Sequence, residues 1–285
     1  MPTQHQRFER FRDLHRRPGA FIIPNPWDAG TSRILTALGF EALATTSAGF
    51  AFAIGRRDST AGLGRGEVLA NAQQIVEATD LPVSGDLEDG FGEDPDSCAE
   101  TIRLAITVGL VGGSIEDATG DRAKPIYGFE HAVERIAAAS EAAHGQPFLL
   151  TARAENYLHG VPDLNDTIRR LVAFSDAGAD VLYAPGLPSL DAIRHVCESV
   201  DKPLNVVMGL SGPTFSLDQL AEVGVKRVSV GGSLARTALG AVVSAAKEML
   251  NDGTFTFSSN AIPDSEASSY MRHKDRALRE AGGGV

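Results

Sequence analysis

Residues 81–117 read LPVSGDLEDGFGEDPDSCAETIRLAITVGLVGGSIED, and their order decides the fold. An apolar run, Pro82–Leu87, leads into an acidic segment broken by glycine, Asp86-Leu87-Glu88-Asp89-Gly90-Phe91-Gly92. An amphipathic stretch, Ala99–Val108, follows, then Gly109-Leu110, then a second apolar run, Gly113–Ile115, closed by Glu116-Asp117. A short apolar run, a longer helical pattern and another apolar run make the βα unit of a parallel sheet. The glycine just past the helix accepts the left-handed conformation that ends it.

The same unit recurs on both sides. Further strands are expected at Phe21–Ile23, Ala42–Thr46, Phe148–Ala152, Val181–Tyr183, Leu204–Val207 and Arg227–Val230. Helices are expected at Ser32–Leu38, Gly66–Thr79, Phe129–His144, Asn165–Asp176, Leu190–Ser199, Leu217–Val223 and Ser233–Leu250. Entry into the strands alternates between a glycine (Gly39, Gly109, Gly178, Gly224) and a proline (Pro82, Pro147, Pro203), which is a weak internal repeat. Eight such units in about 250 residues match a closed (β/α)8 TIM-type barrel. An open doubly wound sheet is the runner-up, but no G-x-G-x-x-G follows the first strand. The expected organisation is one barrel over residues 1–257, preceded by a short helix Gln6–His15, and a polar arm over 258–285 with one helix, Ser265–Glu280.

Composition narrows the function. The chain has 285 residues, 43% of them hydrophobic, and a formal net charge of −11. An acidic chain without a basic stripe is a poor nucleic-acid binder. No apolar run approaches the ~18–20 residues of a membrane span. The segment Met1–Arg17 is polar and lacks the apolar centre of a signal peptide. Cys98 and Cys197 lie far apart with no metal-ligand spacing, as expected for a cytoplasmic protein with reduced thiols.

In such a barrel the chemistry sits at the C-terminal ends of the strands. Asp86 and Glu88, two apart on an extended segment, should project the same way, and Glu116 at the next strand end can join them. Three converging carboxylates repel unless a cation lies among them, and oxygen-only ligands select Mg²⁺ or Mn²⁺. The alternative, a solvated turn at Asp89-Gly90, leaves Glu116 and Arg153 on the following strand ends unexplained. Arg153 is suited to a substrate carboxylate or a developing oxyanion, or else to a structural ion pair with Glu116 or Glu155. Ser47-Ala48-Gly49 offers backbone N–H groups and a hydroxyl for a carboxylate. Asn205 lies on the seventh strand, and His159, after the fifth, is within possible reach. Gly209-Leu210-Ser211-Gly212 and Gly231-Gly232-Ser233 occupy the usual phosphate position of a rival, phosphate-binding barrel, which leaves the acids without a role.

Taken together, Asp86–Gly92, Ser114–Asp117 and Thr151-Ala152-Arg153 resemble the isocitrate lyase / phosphoenolpyruvate mutase superfamily. Pro24–Asp28, Thr45–Gly49 and Arg227–Gly231 fit its opening and closing strands, so the resemblance spans residues 7–250. It implies that Asp86 is the direct Mg²⁺ ligand and that Glu88 and Glu116 hold the metal largely through water. Glu88 stands where many members have aspartate. It further implies that Arg153 contacts substrate, that Thr46, Ser47, Ala48 and Gly49 bind the carboxylate of a small 2-oxo acid, and that Asp58 matches an aspartate after that loop. Members are commonly homotetramers that exchange the last barrel helix between subunits.

The departures bear on the reaction. Isocitrate and methylisocitrate lyases carry K-[KR]-C-G-H after the fourth strand, with the cysteine as catalytic acid; here residues 118–125 read ATGDRAKP. The K-x-N-S stretch of phosphoenolpyruvate mutases is absent, and Tyr183-Ala184-Pro185 replaces a glutamate at the sixth strand end. The chain therefore resembles the short-loop branch, near oxaloacetate-decarboxylase-like and carboxyphosphonoenolpyruvate-mutase-like members. The expected reaction is cleavage of a C–C bond beside the carbonyl of an oxaloacetate-like 2-oxo acid through an enolate. Arg153, Glu116 and Asp58 are its expected catalytic groups, with Tyr127 or water giving the proton. The alternatives are a P–C mutase or hydrolase and a non-catalytic 2-oxo acid binder.

Overall fold

The computed structural model describes residues 2–58 and 62–271. Eight strands form one sheet: β1 (Phe21–Ile23), β2 (Leu43–Ala44), β3 (Val83–Asp86), β4 (Gly112–Glu116), β5 (Leu149–Arg153), β6 (Val181–Tyr183), β7 (Leu204–Val207) and β8 (Arg227–Ser229). Their order is β1-β8-β7-β6-β5-β4-β3-β2, with all neighbours parallel. The Ala44 N–H donates to the Pro24 carbonyl at 3.0 Å and draws the two edges together, so the sheet rolls into the expected (β/α)8 barrel. The helices are α1 (Gln4–Arg16), α2 (Ala29–Ala37), α3 (Ser47–Ala53), α4 (Arg65–Glu77), α5 (Pro95–Thr107), α6 (Phe129–Ala143), α7 (Leu164–Asp176), α8 (Leu190–Ser199), α9 (Leu217–Glu222), α10 (Ser233–Asp252) and α11 (Asp264–Tyr270).

Most expected elements are present within a few residues. Strands β1, β6 and β7 fall on the expected bounds. Helix α3 is a correction, because its residues were read as a binding loop. Thr46 starts it, its hydroxyl accepting the Gly49 N–H at 3.2 Å. Seven residues mixing glycine, alanine and phenylalanine are too short to display a helical period. Gly49 has a packing reason: a Cβ there would meet the Thr46 side chain at 2.6 Å and Trp27 at 3.0 Å. Helix α11 covers the start of the expected Ser265–Glu280 helix, whose remainder from residue 272 lies outside the described residues.

The core lies between sheet and helices, where Ile102, Leu110, Ile115, Leu150, Leu171 and Phe174 are fully buried. Helix α1 stoppers the N-terminal end of the barrel by placing Phe11 and Leu14 among Phe21, Ile23, Val111 and Leu149. It also inserts His15, whose Nδ1 lies 2.8 Å from the Phe11 carbonyl and whose Nε2 faces the Arg227 guanidinium at 3.4 Å. Burial, then Arg227, pushes the His15 pKa from 6.5 down to about 3, so the ring is neutral. The unfolded chain binds a proton on His15 below pH 6.5 and the folded chain does not. Stability is therefore lost as pH falls through that window, by about 1.4 kcal/mol per pH unit from this group. Urea denaturation between pH 7 and 4 should show a shallower acid loss in His15→Phe than in the parent protein. Equal slopes would refute a neutral buried His15.

Candidate active site

The strand register assembles the site. Glu116 pairs with Arg153 across β4 and β5, Arg153 with Tyr183, Tyr183 with Asn205, and Asn205 with Arg227. Directly paired residues of a parallel sheet share a face, so five adjacent strands present this row to the barrel interior. The row lines a cavity of about 320 Å³ with Asp86, Asp58, Glu88, Glu155, His159, Thr46, Ser47 and Ala48.

Arg153 is the centre of the site. Its NH1 lies 3.0 Å from Asp86, its NH2 3.1 Å from Glu116 and its Nε 2.8 Å from Glu155. Its guanidinium also stacks 4.8 Å from the Tyr183 ring centroid. Burial opposes the charge, but Glu155, Glu116 and Asp86 more than offset it and hold Arg153 protonated. Arg153 is thus ion-paired to both Glu116 and Glu155, and it also lines the cavity. The other Asp86 oxygen accepts from the Ser47 N–H at 3.0 Å and the Ser47 hydroxyl at 2.9 Å. Those donors, expected to hold a substrate carboxylate, are engaged by Asp86.

The acid cluster differs from the expected geometry. β3 ends at Asp86, and Glu88 is not extended but left-handed, with φ 47°; Phe91 has φ 60°. Such backbone persists only where its surroundings over-determine it. Here Leu87 turns into the core, fully buried. Arg135 reaches from α6 to the carbonyls of Asp89, Gly92 (2.6 Å) and Glu93, holding the turn from outside. Glu88 still reaches the cavity. Burial, then Asp86, Asp89 and Asp58, pushes its pKa up to about 8. Burial and Asp86 raise Asp58, and burial raises Glu116 well above the usual carboxylate range in spite of Arg153.

Among the described residues, no three His, Cys, Asp or Glu side chains are gathered closely enough to hold an ion. Asp86 and Glu116 are instead drawn onto Arg153. The donor chemistry nevertheless fits a hard cation. Asp58, Asp86, Glu88, Glu116 and Glu155 line the cavity against two guanidiniums, Arg153 and Arg227. That surplus of negative charge is what raises Glu88 and Asp58 beyond the effect of burial alone.

Two expected site residues are not brought to the cavity. Gly49 packs behind it, against Trp27 and Ala235. Tyr127 lies under the Arg135 guanidinium, 4.3 Å from its ring centroid, and beside His131, and does not line the cavity. The preceding segment is an antiparallel hairpin closed by Ala118 and Ile126, outside the cavity lining. Neither cysteine lines the cavity either: Cys98 is buried with its sulfur 3.7 Å from the Asp89 carbonyl, and Cys197 sits on α8.

Arg227 is absent from the candidates that the sequence offers, because it opens β8 rather than standing at its C-terminal end. Its signal was the alternation Arg227, Val228, Ser229, which puts two polar residues on the interior face. It is buried, donating to Asn205 Oδ1 at 2.8 Å and to Thr151 Oγ1 at 3.0 Å, while Asn205 donates to Ser229 at 3.1 Å.

The phosphoenolpyruvate phosphomutase family profile matches residues 11–250. A 2-methylisocitrate lyase of Shewanella oneidensis is 30% identical over 252 residues, covering 86% of this chain and 85% of that protein. A crystal structure from Burkholderia cenocepacia J2315, provisionally named a lyase/mutase, is 59% identical with a TM-score of 0.92, covering 95% of this chain and 97% of that one. The structure of 2,3-dimethylmalate lyase is 25% identical with a TM-score of 0.85 over the whole of both chains.

Proposed function

The chain belongs to the phosphoenolpyruvate phosphomutase family, within the isocitrate lyase / phosphoenolpyruvate mutase superfamily, and from that premise we propose that it is a Mg²⁺-dependent lyase cleaving a C–C bond of a small, oxaloacetate-like 2-oxo acid. The observation that carries this reading is Arg153, held by three carboxylates at the centre of an acid-rich cavity. Asp86 is the residue to ligate the metal, with Glu88, Glu116 and Asp58 around it. A bound Mg²⁺ supplies Lewis-acid polarisation of the 2-oxo group.

The chain's own groups do the rest. Arg153 faces the 2-oxo oxygen and stabilises the negative charge that grows there as the C3–C4 bond breaks and CO₂ leaves. Its ion pairs fix the guanidinium beforehand, so little reorganisation is needed during the reaction. Asn205, held by Arg227 and Ser229, orients the substrate from β7, two strands along the same row as Arg153. The electron pair of the broken bond becomes the enolate, and water protonates it at C3. With neither Cys98 nor Cys197 lining the cavity, the cysteine acid of isocitrate-type cleavage has no counterpart. The apolar face that α10 leaves exposed, Leu239, Val242, Val243 and Leu250, supports the helix-exchanged tetramer of the resemblance. Among the described residues no helix is long and apolar enough to cross a membrane.

Purified protein with excess Mg²⁺ should release pyruvate from oxaloacetate, and Asp86→Ala should reduce this to the rate of Mg²⁺ alone. Isocitrate and 2-methylisocitrate should not be cleaved. Robust glyoxylate release from isocitrate would overturn the reading, and turnover of phosphonopyruvate instead of oxaloacetate would mark a P–C mutase. A Mg²⁺-dependent thermal shift without turnover of any of these would mark a non-catalytic binder.

A further inference from the structure

A second cavity, of about 290 Å³, opens beside the first at the C-terminal ends of β6 and β7. The two share Leu158, Val207 and Leu210 as a common wall. The second cavity is mainly apolar, lined among others by Leu187, Ile193, Val206 and Met208, and it carries one charged group, Arg236 on α10. Arg236 forms no ion pair with a described residue. Leu158 is 46% exposed at this wall, although it is a large apolar side chain. It is seated there by Gly186, where a Cβ would approach Leu158 Cδ2 to 3.1 Å and where φ is 80°. An exposed leucine held between two cavities keeps apolar surface in water, and an apolar ligand segment removes it.

We propose that this second cavity is an annexe of the active site that takes the C3 substituent of the substrate, an apolar chain ending in a carboxylate paired with Arg236. The acid-rich cavity and the annexe then divide one ligand by its chemistry. The 2-oxo acid head lies with Arg153, the methylene chain crosses the Leu158–Leu210 wall, and the distal anion reaches the Arg236 guanidinium in the second cavity. The inference rests on the 2-oxo acid reading of the first cavity and extends it to 2-oxo acids longer than oxaloacetate.

Three non-cleavable probes separate these parts when titrated calorimetrically into the full chain with excess Mg²⁺: pyruvate, 2-oxohexanoate and 2-oxoadipate. Pyruvate presents the head alone, 2-oxohexanoate adds an apolar chain, and 2-oxoadipate adds the chain and the anion. The expected order is 2-oxoadipate tightest and pyruvate weakest, with the distal carboxylate giving about tenfold over 2-oxohexanoate, as for a charge-assisted hydrogen bond. Arg236→Gln, at an exposed helical position, should erase the preference for 2-oxoadipate over 2-oxohexanoate and leave pyruvate unchanged. Met208→Trp should fill the annexe and remove the advantage of both longer probes. Pyruvate binding with no gain from either chain, or an Arg236→Gln protein that keeps the preference, would overturn the annexe while leaving the first cavity's reading intact. No binding of any probe would overturn both.

Discussion

Arg153→Lys is expected to lower kcat on oxaloacetate by about 10²–10³-fold, the scale on which one transition-state donor is lost. Arg153 answers Asp86, Glu116 and Glu155 with three different nitrogens and lays its plane against Tyr183. A lysine ammonium is one point charge on a flexible stem and cannot hold three carboxylates apart in fixed directions. At least two of those acids would then face one another without a cation, and the oxyanion would lose its donor. Stopped-flow or coupled assays of pyruvate release, with circular dichroism to confirm the fold, read the effect. A lysine variant within threefold of the parent would mean that Arg153 is a structural strut and nothing more.

The second large effect is on stability. Arg170→Met is expected to cost about 3–5 kcal/mol at pH 7.5, the usual result of leaving one member of a buried ion pair alone. Arg170 joins Asp117 at 3.0 Å and Asp166 at 2.7 Å and also donates to the Tyr127 carbonyl at 2.9 Å. Asp117 in turn accepts the Glu155 N–H at 2.8 Å, so this cluster ties the ends of β4 and β5 to α7. Burial already lifts the Asp117 pKa to about 6 with Arg170 present. Without it the pKa rises further. A carboxyl whose folded pKa is raised is favoured in the folded state below its unfolded pKa, and that benefit disappears as pH rises through the folded pKa. The deficit of Arg170→Met should therefore shrink between pH 7.5 and pH 5. Urea titrations at both values decide the point, and a deficit that grows on acidification would contradict it. Adding Asp117→Asn to Arg170→Met should recover part of the loss at pH 7.5.

These effects separate what was legible in the chain from what was not. The eight strands, the order of motifs and the candidate residues Asp86, Glu88, Glu116, Arg153 and Asn205 follow from local pattern. Apolar runs, glycine and proline stops and the acid at a strand end are each written within a few consecutive residues. Helix α3 escaped because its apolar period is shorter than the window in which a helix shows itself. The left-handed backbone of Glu88 is not legible, because nothing in Asp86-Leu87-Glu88 announces that Arg135, 46 residues beyond Asp89, clamps the turn. Tyr127 was placed in the site by its position after β4, yet Arg135 takes its ring away from the cavity.

The barrel is written in the chain, because burying eight apolar runs between amphipathic helices is a demand of composition and periodicity that few topologies meet. The charges that stand at the strand ends are written there too. How those charges share one another comes from the folded contacts: Asp86 divides between Arg153 and Ser47, Arg227 lines the acidic cavity, and a mainly apolar cavity opens beside it. Pair distances set electrostatic energies and burial sets the dielectric in which they act. Both quantities arise from contacts between residues far apart in the chain, such as Arg153 with Asp86, 67 positions away.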